Sequence, residues 1–174
     1  MIYFQDDLDL PVLDSTTISP LTHVLRDSLA QFYGSRIQAM RTLLKLENGT
    51  ANGPLRRQIH DYSKICQTQL YSIEHVFELL DQDSDPKSCE LTDAVCKKAC
   101  GILSLTEKNG AKTKGIRTVL AELFAHEITT LDYLMKLALI VDRMDVARII
   151  REVQRKTQGA FELSFELPGR RMVA

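Results

Sequence analysis

Four long stretches of this chain carry apolar residues in steps of three and four, a pattern that leaves few folds open. The first places Leu25, Leu29, Phe32, Arg36, Met40 and Leu43 on one face. The second places Ile59, Tyr62, Cys66, Gln69, Ile73, Val76 and Leu80 there. The third places Leu120, Leu123, Glu127, Thr130, Leu134, Leu137 and Val141, and the fourth Val146, Ile150, Val153, Thr157 and Ala160. Helices of about 25 residues reach roughly 35–40 Å at 1.5 Å per residue. Four such stripes turned inward predict an all-α, antiparallel four-helix bundle. Eight Gly and five Pro in 174 residues are too few for a turn-dense all-β alternative.

Punctuation residues divide the chain. Residues 1–18 mix Phe4, Leu8, Leu10, Val12 and Leu13 with Asp6, Asp7, Asp9 and Asp14 without a helical period, which predicts an irregular arm. Ser19-Pro20 reads as an N-cap followed by a first helical residue, and Asn48-Gly49 as a stop. Gly53-Pro54 opens a second helix to about Asp81. Asp85-Pro86 opens a shorter third one to about Leu105. A polar loop, Lys108 to Gly115, precedes a fourth helix over about Ile116 to Val141. Asp142 reads as the cap of a fifth, to about Phe165. The bundle domain thus spans 19–166, with 167–174 as an irregular tail. The connection from the second helix to the fourth carries the short helix and is long enough to run the length of a bundle as a crossover.

Each stripe is interrupted near its middle by polar or small residues: Arg36, Cys66 with Gln69, Glu127 with Thr130, and Thr157 with Ala160. In antiparallel helices these positions share one depth, the place where ferritin-like bundles hold two metal ions. Other segments resemble the YciE/YciF family of ferritin-like, stress-associated bacterial proteins. Asp27, Leu29, Tyr33, Gln38 and Leu43 have the spacing of its first helix, and Gln69, Ile73-Glu74, Val76 and Phe77-Glu78-Leu79-Leu80 that of the end of its second. Ser88-Cys89-Glu90-Leu91 stands where the family has a short middle helix, and His126-Glu127-Ile128 matches its next long one. The resemblance covers about residues 20 to 165 and rests on joint order and spacing. It implies a ferritin-like bundle, a stress-related setting and pairing into a homodimer, onto whose partner subunit the arm at 1–18 could pack.

The resemblance also implies ligands that this chain lacks. The family carries Glu where Arg36 stands, Glu and Gln or His where Ile65 or Cys66 and then Gln69 stand, and acidic residues where Thr157 stands. Only Glu127 remains a carboxylate. A di-iron or di-manganese centre needs about four carboxylates and two imidazoles facing inward, because hard divalent ions require anionic oxygens. Arg36 would instead put a permanent cation at the site. The expectation is that Arg36 pairs with Glu127 inside the bundle, with Gln69 as a further partner and no cofactor. The alternatives are an Arg36 that snorkels outward beside a solvated Glu127, and a functional iron or manganese protein with ferroxidase-like or peroxide-handling activity.

Other groups carry weaker signals. Cys89, Cys96 and Cys100, seven and four apart, would share one side of the short helix, and three thiolates with a histidine can hold zinc. No Cys-x-x-Cys pair occurs, and free cysteines commonly pack as small apolar residues, as Cys66 is expected to. Thiol chemistry would require a depressed pKa. Glu122 and His126, four apart, could hold a single metal but also suit an ordinary surface pair. His75 beside Glu74 and Glu78 reads as a solvated face. No nucleophilic triad or phosphate-binding glycine loop is present. Lys97, Lys98, Lys108, Lys112, Lys114 and Arg117 form the largest local charge excess and read as a solubilising cluster, with an anionic partner as the alternative. A net charge of −1 argues against nucleic-acid binding. No apolar run approaches the roughly 18 residues of a membrane span, and the acidic start is unlike a signal peptide, so a cytoplasmic location is expected. The reading is a metal-free structural or interaction protein of a stress response.

Overall fold

The computed structural model describes residues 15–106 and 110–164, with side chains described over 20–106 and 110–159. Those residues form five helices: α1 (Ser15–Asn48), α2 (Gly53–Leu79), α3 (Glu90–Leu103), α4 (Ala111–Ile140) and α5 (Met144–Ser164). No strand occurs among the described residues. Residues 1–14 of the expected arm, the tail at 167–174 and Phe165 lie outside them, as does the Ala160 side chain, while residues 15–18, expected in the irregular arm, are helical. No described helix is long and apolar enough to cross a membrane.

Two apolar clusters hold the helices together. One joins the N-terminal half of α1 (Leu25, Leu29, Phe32) to the ends of α2 and α4 (Ile73, Phe77; Leu131, Leu134) and the start of α5 (Val146, Ile150). The other joins the C-terminal half of α1 (Ala39, Leu43, Leu46) to the starts of α2 and α4 (Leu55, Ile59; Ile116, Leu120) and to α3 (Val95, Ala99). Helix α1 packs on α2, α3 and α4, and α5 packs on α2 and α4. The stripes read from the sequence supply most of both clusters, because an amphipathic helix gains stability chiefly by burying its apolar face.

Four helix boundaries differ from the sequence expectation. Helix α1 starts at Ser15, so Pro20 lies inside it rather than at its first position. Helix α4 starts at Ala111 behind Gly110 in the left-handed region (φ 73°), five residues before Ile116. Asp142 closes α4 instead of capping α5: it adopts φ 58°, and the Asp142 and Arg143 N–H groups donate to Leu139 and Ala138. Asp81 (φ 50°) ends α2 in the same way, with the Asp81 and Gln82 N–H groups donating to Glu78 and Phe77. Both are Schellman closures, with Asp tolerated where Gly is usual. Composition alone does not separate this use of Asp from N-capping.

Helix α3 starts at Glu90, not at Asp85-Pro86. The segment before it is anchored to α1: the Lys87 N–H donates to the Ala30 carbonyl at 3.0 Å, and Lys87 Nζ reaches Asp27 at 2.8 Å. Gly34 permits the approach, since a Cβ there would overlap the Lys87 carbonyl oxygen and lie 3.0 Å from its carbon. With this bond directed at another helix, the segment stays irregular until Cys89.

Candidate functional site

The two apolar clusters are separated by a polar layer contributed by all four long helices. Arg36 follows Phe32 and precedes Ala39 on α1; Gln69 lies between Cys66 and Ile73 on α2; Glu127 lies between Leu123 and Leu131 on α4; Thr157 follows Val153 on α5. Arg36 and Glu127 are both 0% exposed and form an ion pair at 2.5 Å, Nη1 to Oε2. Tyr62 donates its hydroxyl to the same oxygen at 2.7 Å. The Gln69 amide donates to the other carboxylate oxygen, and also to the Thr157 hydroxyl at 2.6 Å. Thr157 in turn donates to the Val153 carbonyl at 2.8 Å. Glu127 therefore accepts from three side chains on two helices.

Electrostatically the layer is a contact ion pair whose two partners are both fully buried. Burial disfavours the Arg36 charge, but attraction by Glu127 together with smaller contributions from Tyr62 and Cys66 outweighs it, and the guanidinium is held protonated more firmly than usual. Its carbon lies 5.2 Å from the Phe32 ring centre, within cation–π reach. The satisfaction is incomplete: Arg36 Nε and Nη2 and Gln69 Oε1 are buried without a hydrogen-bond partner among the described residues. Each such group costs about 1–3 kcal/mol. Replacing a buried pair of this kind by well-packed apolar residues is often neutral or stabilising, so its presence says little about net stability.

Burial pushes the Tyr62 hydroxyl well above its usual range and the Cys66 thiol up to about 12. A raised folded-state pKa gives stability that is complete below the unfolded value and lost as pH rises through the folded one. Stability is therefore expected to decline from about pH 9, where an unfolded thiol ionises, through about pH 12. Urea unfolding measured across that range should show a shallower alkaline decline in Cys66→Ala than in the unmodified protein.

The structure brings Arg36, Cys66, Gln69, Glu127 and Thr157 together and leaves Thr130 outside. Thr130 is half-buried, bonds the His126 carbonyl at 2.8 Å and faces a surface groove. The remaining metal candidates do not converge. Glu122 pairs with Lys98 at 2.5 Å, while His126 turns its Nε2 toward Cys89 at 3.6 Å. Cys89 precedes α3 rather than lying on it, while Cys96 and Cys100 stand four apart on α3, the first buried and the second exposed. No group of three or more His, Cys, Asp or Glu placed to hold a metal occurs among the described residues. Sequence reasoning treated Tyr62 as plain core. A tyrosine on an otherwise apolar stripe was the available signal, because a buried hydroxyl needs a partner. Nothing in the sequence pointed to Gly34, or to Ser35 and Thr92 beside Cys89.

Comparison with known proteins finds no match among curated sequences. Two solved structures share the fold. The E. coli stress protein YciF aligns with a TM-score of 0.76 at 20% identity, over 83% of this chain and 94% of that one. YcfI from Rhodopseudomonas palustris aligns at 0.74 and 18%, over 87% and 97%. The DUF892 family, a domain of unknown function, matches residues 20–162, most of the helical region just described. The chain therefore belongs to the DUF892 family and is YciF-like in fold.

Proposed function

We propose that this protein is a ferritin-like four-helix bundle, with α3 as an extra helix in the crossover, in which a buried ion pair stands in place of a di-metal centre. It acts as a homodimeric, cytoplasmic structural or interaction protein in a stress response rather than as an enzyme. The observation that carries this reading is the Arg36–Glu127 pair, fully buried and bonded to Tyr62 and Gln69 at mid-bundle depth. A di-iron or di-manganese centre calls for about four carboxylates and two imidazoles. The layer offers one carboxylate, already bonded to a guanidinium, so the residues present do not fit such a centre. The stress description belongs to YciF, and a structural role has been suggested for YcfI; both come to this chain by shared fold.

Elemental analysis tests the proposal, on protein purified without chelator and then offered Fe(II), Mn(II) and Zn(II). No metal near stoichiometry is expected. One or two irons or manganeses per chain would overturn the reading and establish the metalloprotein instead.

A further inference from the structure

A second chemically distinct place lies outside the polar layer, where α1, α3 and α4 meet. Cys89 occupies the N-cap position of the 14-residue helix α3, with extended backbone (φ −126°, ψ 113°). Its half-buried sulfur lies 3.6 Å from His126 Nε2 on α4. Thr92, one turn into α3, is 0% exposed, and its hydroxyl has no hydrogen-bond partner among the described residues. The Thr92 hydroxyl and the Thr92 and Leu91 N–H groups lie near the Cys89 sulfur, although none closes a side-chain cap hydrogen bond to it. Burial raises the thiol pKa, but these donors outweigh it and hold Cys89 below the ordinary thiol value. Burial and the nearby Arg36 charge lower the His126 pKa, which favours the neutral imidazole. The sulfur thus has a base on one side and a cradle of donors on the other, the arrangement that favours thiolate over thiol.

The groove beside it has a volume of about 370 Å³ and is walled by Phe32 and Tyr133. Ser35, Thr129 and Thr130 on its lining donate their protons to carbonyls one turn back, leaving oxygen lone pairs as acceptors. No Lys, Arg, Asp or Glu lines it among the described residues. Such a groove suits a small uncharged molecule with an O–H donor and an apolar body. It does not suit an anionic peptide disulfide, which would need a cation.

We propose that Cys89 and His126 form a thiol site that reacts with small uncharged organic hydroperoxides. Cys89 gives its proton to His126 Nε2, in the tautomer that leaves this nitrogen free. The thiolate attacks the terminal peroxide oxygen; the S–O bond forms as the O–O bond breaks, and sulfur gives up two electrons to the peroxide. The departing alkoxide takes the proton back from the imidazolium, leaving Cys89 sulfenic acid and an alcohol. The site is independent of the metal-free reading, since neither residue belongs to the Arg36–Glu127 layer.

The test is treatment of the full chain with one equivalent of tert-butyl hydroperoxide, dimedone trapping of sulfenic acid, and peptide mass mapping over time. The first adduct is expected on Cys89, ahead of exposed Cys100 and with buried Cys66 and Cys96 unlabelled. Cys89→Ser, which keeps a good N-cap residue, should remove it. His126→Gln should slow labelling of Cys89 about 10²-fold, the usual scale of general acid–base assistance. Labelling of Cys100 first, labelling of Cys89 no faster than free cysteine, or an unchanged rate in His126→Gln would overturn the proposal.

Discussion

Glu127→Ala is expected to destabilise the folded protein by roughly 3–5 kcal/mol, the cost of leaving a buried charge without its partner. For a chain of this length that lowers Tm by on the order of 10 °C. The loss has three sources. Arg36 keeps a full charge at 0% exposure with Nε and Nη2 already unpartnered. Tyr62 and Gln69 each lose their acceptor on Glu127. The missing side chain also leaves a void between Leu123 and Leu131. Calorimetry of Glu127→Ala, Arg36→Met and the pair Arg36→Met with Glu127→Gln separates these contributions. The double variant should be more stable than Glu127→Ala, because the introduced amide oxygen can still accept from Tyr62 and no charge remains buried. A loss below about 1 kcal/mol in Glu127→Ala is the range of a surface pair; it would mean that Arg36 escapes to solvent.

The second large effect is at Gly34. Gly34→Ala is expected to cost roughly 1–3 kcal/mol through overpacking, although alanine is intrinsically the better helix residue by up to about 1 kcal/mol. The new methyl would meet the Lys87 backbone, which cannot rotate away as a side chain could. Relief requires the segment before α3 to lift from α1, losing the bond from the Lys87 N–H to Ala30 and the Lys87–Asp27 pair. Limited proteolysis should therefore show faster cutting within residues 81–89. Gly101→Ala and Gly159→Ala are the controls: both glycines are helical with nothing among the described residues within 4 Å of an added Cβ, so both changes should be neutral or slightly stabilising. Equal behaviour of all three variants would sink the close-approach account.

The effects differ in how far they could be read beforehand. Arg36 and Glu127 were legible because each stands where a helical stripe demands an inward residue, and a charge there must find a partner. The helical class was legible for the same reason, since a period near 3.6 sustained over four long stretches has one structural meaning. Helix starts were less so. Ser19-Pro20 and Asp142 carry genuine capping chemistry, yet the chain continues helix through the first and uses the second as a left-handed closure. Local preferences of about 1 kcal/mol yield to the packing of a whole helix.

The amino-acid sequence by itself determined which faces of the long helices are buried and that the centre of the bundle holds an arginine and one carboxylate. Those follow from periodicity, a property of each helix alone. Tertiary structure alone decided that Tyr62 bonds Glu127, that Lys87 is anchored on α1 over Gly34, and that Cys89 meets His126 rather than Cys96 and Cys100. These contacts join residues 65, 57 and 37 positions apart in the chain. No local propensity encodes them, because they arise only when the burial of separate apolar faces brings distant helices to a common depth and rotation.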